Sequence, residues 1–150
     1  QVATVGVTEL RPNLVNVIAN HARITVDLRN TTEDRLQQAE ASMTQYIAKL
    51  AAIEGVEVVS RSLARFCPVE FDPDVMNLIE TTANERGYAC QRLPSGAGHD
   101  AQMFAPNCPT GMIFVPSQGG ISHNVKEFTA AVEIDAGLDV LTQVVLQLTE

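Results

Sequence analysis

A mixed chain of the α/β or α+β class is predicted by three observations. Up to Arg29 the sequence alternates apolar and polar residues with a period of two, the pattern of a strand with one buried face. Leu36, Ala39, Met43, Tyr46, Ile47 and Leu50 then recur at helical spacing. From Pro73 onward, signals for helix, strand, turn-rich loop, strand and helix follow one another, an order that packs as helix layered on sheet.

The opening run, Gln1-Val-Ala-Thr-Val-Gly-Val-Thr, reads as a strand from its first residue, with no initiator methionine, so the chain is expected to start inside a domain. Arg11-Pro12-Asn13 is a breaker. Val15 and Val17, then Ile24, Val26 and Leu28, resume the alternation with Arg23, Thr25, Asp27 and Arg29 on the opposite face, which predicts a long half-buried strand. His21 sits at an expected hairpin corner, exposed to solvent. Asn30-Thr31-Thr32 offers N-cap residues for the helix that follows, and Gly55 offers its C-cap. Val56, Val58, Val59 and Leu63 predict another strand. At Phe66-Cys67-Pro68 and Phe71-Asp72-Pro73 the composition changes, which places a boundary near Val69.

Beyond it, Asp72 as N-cap and Pro73 at the first helical position start a helix through Val75, Leu78 and Ile79 toward Gly87. Tyr88–Leu93 reads as a short strand. Pro94-Ser95-Gly96-Ala97-Gly98 is a turn in which backbone passes close to something, and His99-Asp100 follows where a helix can begin. Met112-Ile113-Phe114-Val115 reads as a buried strand, broken by Pro116-Ser117-Gln118-Gly119-Gly120, which delivers His123 just past its end. Open α/β sheets place ligands outside the carboxyl ends of strands, so both imidazoles are expected at one site. Ile134, Leu138, Leu141, Val145 and Leu148 give a last amphipathic helix, with that stripe as its packing face.

Composition narrows the class. A hydrophobic content of 45% over 150 residues fits one globular domain or two small ones, not disorder. A net charge of −8 argues against nucleic acid or an anionic membrane surface as partner, because both require a basic face. No apolar run is long enough to span a membrane. Cys67, Cys90 and Cys108 are odd in number and widely spaced, which argues against a disulfide framework and for a reducing cytoplasm. Cys90 and Cys108 have apolar or proline neighbours and are expected to be buried and unreactive.

Each candidate group keeps a plain structural reading beside a functional one. His123 is a surface loop residue or a metal ligand, but one imidazole makes no site. His99 is an acid/base, an electrophile or a helix-capping residue. Gly96 and Gly98 are too few for a nucleotide-binding loop and read as close backbone packing or an anion-accepting turn. Arg29 either pairs with Asp27 in solvent or grips a carboxylate through two parallel hydrogen bonds. Asn16, between two apolar residues, faces away from the local core. Ser95 and Ser122 lie near histidines without the strand-to-helix context of a nucleophile elbow.

Three stretches together carry a resemblance: Leu93-Pro-Ser-Gly-Ala-Gly-His-Asp-Ala-Gln, Pro109-Thr-Gly-Met-Ile-Phe-Val-Pro-Ser, and Gly119-Gly-Ile-Ser-His-Asn with Glu127. They resemble the C-terminal signature of the hydantoinase/carbamoylase group of amidases, within the M20 metallopeptidase superfamily. Pro12-Asn13-Leu-Val-Asn16-Val-Ile and Ile24-Thr-Val-Asp27-Leu-Arg29 resemble the lid, or dimerisation, domain of the same enzymes. Ala19-Asn20 stand where that group usually has Pro-Gly, and Val125 where it has proline.

The resemblance implies a partial ferredoxin-like lid of ββαβ order over residues 1–69, incomplete at its N-terminus, and the C-terminal α/β segment of a zinc-hydrolase catalytic domain over residues 70–150. It implies a two-zinc amidohydrolase, with manganese or cobalt as substitutes, whose bridging hydroxide attacks a linear carbamoyl or ureido carbon. His123 matches a metal ligand, and His99 the catalytic histidine that hydrogen-bonds the scissile group. Asn16 and Arg29 match substrate-binding lid residues, with Arg29 on the substrate carboxylate, and the N–H groups of Gly119 and Gly120 match the loop that also cradles it. A homodimer through the lid and a small carbamoyl or ureido acid substrate are implied, with the chain inactive by itself. The alternatives are an allantoate or ureidoglycolate amidohydrolase, an aminoacylase or peptidase of the same superfamily, and a non-catalytic binding or dimerisation module.

Overall fold

Val2–Arg11 (β1) and His21–Arg29 (β2) pair antiparallel in a two-stranded sheet, with Val5 opposite Val26 and Thr8 opposite Ile24. The computed structural model describes residues 1–149, in two compact units. The first holds Gln1–Pro68 with Pro94–Ala97, and the second Val69–Leu93 with Gly98 onward.

In the first unit the register slips between Val5 and Val7, at Gly6. The Val7 N–H, displaced from the ladder, donates to Thr25 Oγ1 at 3.0 Å, so the bulge leaves no orphan donor there. The expected long strand through Val15 and Val17 does not form. Pro12 has no N–H to continue the ladder, and Leu14 instead bridges Val17 around a Val15-Asn16 turn, while the Asn20 N–H closes the loop on the Arg11 carbonyl at 2.9 Å. His21 is exposed, opposite Arg11 where the loop rejoins the sheet.

Helix α1, Glu33–Glu54, packs on β2. Leu36 is buried and Ala39, Met43 and Ile47 half-buried on one face. Gly55 ends the helix at φ 64°, and Val56 N–H returns to the Ala51 carbonyl at 3.1 Å. The predicted strand through Val56–Leu63 has no ladder: Val58 and Ser60 lie along α1 beside Ile47 and Ala51. Arg65 then anchors the chain, with Nη2 on Glu33 Oε1 at 2.6 Å and Nε on Glu40 Oε1 at 3.0 Å. The mixed helix and strand class holds, but residues 1–68 show the order ββα in place of the expected ββαβ.

In the second unit Pro73–Glu85 (α2) packs on Ala131–Thr149 (α4), and the short helix Ala101–Phe104 (α3) lies between them in sequence. Asp72 caps α2 by accepting from the N–H groups of Asp74 and Val75 at 2.9 and 3.0 Å. Ala83, Val140 and Val144 form the core, with Leu78, Ile79 and Ile113 against it. The α4 stripe expected to pack, Ile134, Leu138, Leu141, Val145 and Leu148, is exposed; the smaller stripe of Ala136, Gly137, Val140 and Val144 is turned inward. This helix is apolar on both sides, so periodicity alone does not choose its face. No helix among the described residues is long and apolar enough to cross a membrane.

Neither Tyr88–Leu93 nor Met112–Val115 is a strand, since no neighbouring strand offers a ladder among the described residues. The latter is irregular backbone held by helices. A Cβ on Gly111 would come within 2.7 Å of Val75 Cγ1, and one on Gly137 within 2.5 Å of Val115 Cγ1, so this segment touches both α2 and α4. Arg86 clasps Asp139 of α4 through two bonds of 2.7 Å, and Tyr88 donates to the same carboxylate at 3.1 Å. These bonds, Arg86 first, hold the Asp139 carboxyl below its usual range, and Asp139 pushes the Tyr88 phenol up.

Gly111→Ala should destabilise the protein by about 1–3 kcal/mol in denaturant unfolding, through overpacking against Val75, and Val75→Ala should recover part of that loss in the double variant. The Asp139 contribution is present above its unfolded value, about pH 4, and is lost as pH falls through the lower folded one. Asp139→Asn should therefore give a flatter acid limb in stability measured against pH.

Candidate functional site

Arg29 closes β2 and lies in the first unit with Asn16. Its Nε contacts both Asp27 oxygens at 3.0 and 3.1 Å, and Nη2 contacts Asp27 Oδ2 at 2.6 Å. Residues 27 and 29 share one face of the strand, which brings the two side chains alongside each other. The third nitrogen, Nη1, donates to the Gly96 carbonyl at 2.8 Å. The turn around Gly96 is thus engaged through its carbonyl, and the expected close packing is not there: a Cβ on Gly96 or Gly98 would meet nothing within 4 Å. The hydrogen bonds from Arg29 hold the Asp27 carboxyl below its ordinary value and Asp27 raises the Arg29 guanidinium. Asn16 is exposed in the turn that tips the β1–β2 loop, flanked by Val15 and Val17.

In the second unit His99 is half-buried, its ring edge-on to Phe114 at 5.4 Å between centroids and 65° between planes. Its carbonyl accepts from the Gln102 N–H at 3.0 Å, the entry to α3, whose N-cap is Asp100. Downstream, the Gln118 N–H donates to the Phe128 carbonyl at 2.8 Å and closes the neck of a loop. Gly119 and Gly120 lie inside it at φ 66° and 68°, conformations that glycine reaches without a Cβ clash. Gly120 N–H serves the Ser117 carbonyl at 3.0 Å, and the Ser117 hydroxyl donates to the Ile121 carbonyl.

His123 is exposed, at φ 54°, the single positive-φ residue other than glycine among the described residues. Its N–H donates to Glu127 Oε2 at 2.7 Å, while Asn124 Oδ1 accepts from Lys126 N–H at 3.0 Å. A strained histidine held by its own loop is a pattern found where the side chain has a task. Glu127, named in the sequence only as part of a family motif, is given a contact by its bond to the His123 N–H: it is a carboxylate four residues after a histidine in a Gly-Gly loop. No group of three His, Cys, Asp or Glu side chains that could hold a metal ion occurs among the described residues. Cys90 and Cys108 are exposed, contrary to the burial expected from their neighbours: neither is carried by an element of the core.

The family model described as peptidase family M20/M25/M40 matches residues 3–147. Allantoate amidohydrolase of Bacillus subtilis is 35% identical over 97% of this chain and 35% of its own length. N-carbamoyl-L-amino-acid amidohydrolase of Rhizobium meliloti is 36% identical over 99% of this chain and 36% of its own. The crystal structure of a hydantoinase/carbamoylase family amidase from Burkholderia multivorans superposes with a TM-score of 0.89 at 38% identity, over 97% of this chain and 36% of that one. The chain therefore spans about a third of the length of these relatives.

Replacing His123 by Gly removes the left-handed strain and adds backbone entropy to the unfolded state, effects that offset to within about 1 kcal/mol. His123→Val at the same φ should cost about 1–3 kcal/mol. Thermal unfolding of the two variants should separate them in that order.

Proposed function

The chain belongs to peptidase family M20/M25/M40 and is similar to amidases of the hydantoinase/carbamoylase group, and from that premise we propose that it is part of an amidohydrolase cleaving a linear carbamoyl or ureido C–N bond. The proposed substrate is an N-carbamoyl-L-amino acid, released as amino acid, carbon dioxide and ammonia. The observation that carries this reading is the Gly119–Glu127 loop: two left-handed glycines, then a histidine kept in a strained conformation by a carboxylate. Allantoate is the second substrate reading, favoured by the Bacillus relative.

In this reading His99 hydrogen-bonds the scissile group. The Phe114 ring shields one side of its imidazole from water, which strengthens a hydrogen bond to oxygen as negative charge develops there. Arg29 holds the substrate carboxylate, and Asn16, Gly119 and Gly120 contribute further polar contacts. His123 is assigned one metal-ligand position, with zinc as the ion and manganese or cobalt as substitutes. The residues of this chain do not themselves fit such an ion, since a structural or catalytic centre takes at least three protein donors and no such group is present among the described residues. The other donors belong, on this proposal, to the part of the relatives' length that this chain does not span. The exposed apolar stripe of α4 supports that arrangement, because further chain would cover it.

We also place the protein in the cytoplasm as a homodimer joined through the lid. The two outer edges of the β1–β2 sheet have no strand partner among the described residues, which suits edge pairing between copies.

Two measurements test the reading. In the complete protein assayed with zinc, His99→Ala should lower kcat on an N-carbamoyl amino acid by about 10²–10⁴-fold with little change in KM, and activity on dipeptides alone would overturn the substrate class. Calorimetric titration of the present chain with zinc should show no submicromolar binding, and tight binding would refute the assignment of the remaining donors to other chain.

A further inference from the structure

Three nitrogens of Arg29 are anchored at once. Nε and Nη2 take the Asp27 carboxylate and Nη1 takes the Gly96 carbonyl, at 2.6 to 3.1 Å. Three points define a plane, so the guanidinium is fixed in orientation although the side chain is about half exposed. Both pair members stand on a ladder strand, with Asp27 opposite Thr4 and Arg29 opposite Val2, so the carboxylate that does the anchoring is itself rigidly placed. Of the five guanidinium N–H groups, Asp27 engages two and Gly96 one, and two remain for a ligand.

We propose that Asp27 is a positioning residue that orients Arg29 for the carboxylate of the substrate, an inference that rests on the carboxylate role given to Arg29 above and deepens it. Asp27 has a second effect through charge. Its negative charge offsets the positive charge of Arg29, so the pair attracts an anion weakly from a distance and recognises it at contact, through the two remaining N–H groups. Selection therefore falls on planar acceptors that can meet both donors, not on anions in general. Without Asp27 the arginine keeps its charge and loses its fixed plane.

The test is made in the complete zinc-loaded protein with an N-carbamoyl amino acid and with its carboxamide analogue. Asp27→Asn should raise KM for the acid on the order of tenfold, with kcat within about twofold, and should affect the carboxamide far less. A KM for the acid that is unchanged or lower would overturn the proposal, as would equal losses on both compounds, which mark a purely structural residue. Arg29→Ala distinguishes the underlying reading: if it leaves the acid's KM unchanged, the carboxylate role of Arg29 fails. If it raises KM while Asp27→Asn does not, only the positioning role fails. Should Asp27→Asn not fold, nitrogen-15 spectra of the wild-type protein decide the matter, since an anchored guanidinium gives resolved, slowly rotating Arg29 N–H signals and an averaged set would refute the anchoring.

Discussion

The second unit depends on how closely an irregular segment can approach two helices. Gly111 and Gly137 each lack a Cβ that would collide with a valine, at 2.7 and 2.5 Å, so Thr110–Val115 can lie against α2 and α4 at short range. Interiors packed at crystal-like density leave no room for an added methyl group there. Much follows along the chain from this placement. Ile113 joins the core of Ala83, Val140 and Val144, Phe114 presents its ring to His99, and the loop carrying Gly119, Gly120 and His123 departs just beyond.

The two histidines are held by different means. His99 rests on an aromatic edge and begins a short helix, whereas His123 is fixed by backbone: a closed neck, two left-handed glycines and the Glu127 carboxylate on its own N–H. The first arrangement concerns an imidazole itself, and the second the backbone that carries one. Arg29 in the first unit shows a third arrangement, in which a carboxylate and a carbonyl restrain the fork while leaving donors unused. In all three a polar residue is held in place by its neighbours.

Elsewhere the fold shows where apolar pattern and hydrogen-bonding part company. Val56–Leu63 and Met112–Val115 have the composition of strands, and each packs apolar side chains on a helix, yet neither is in a ladder. A strand is a property of two segments, and burial of one face needs only some apolar surface opposite. Likewise α4 offers two apolar stripes, of which the covered one places Val140 and Val144 against Ala83 of α2 and leaves room at Gly137 for Val115.

What could be read from residue order alone is what neighbouring groups control. Asp72-Pro73 start a helix and Gly55 ends one, because capping and positive φ are decided within a few residues. The mixed class was legible from apolar periodicity, and the Asp27 partner of Arg29 from its place two positions away on one strand face, whereas the motifs around His99, Gly119, Gly120 and His123 stood out only through their resemblance to a known family. It took the folded chain to show that Gly96 completes the hold on Arg29 and which face of α4 is covered. Those outcomes turn on groups far apart in sequence, such as the 67 positions between Arg29 and Gly96, and no periodicity encodes which distant partner a side chain will meet.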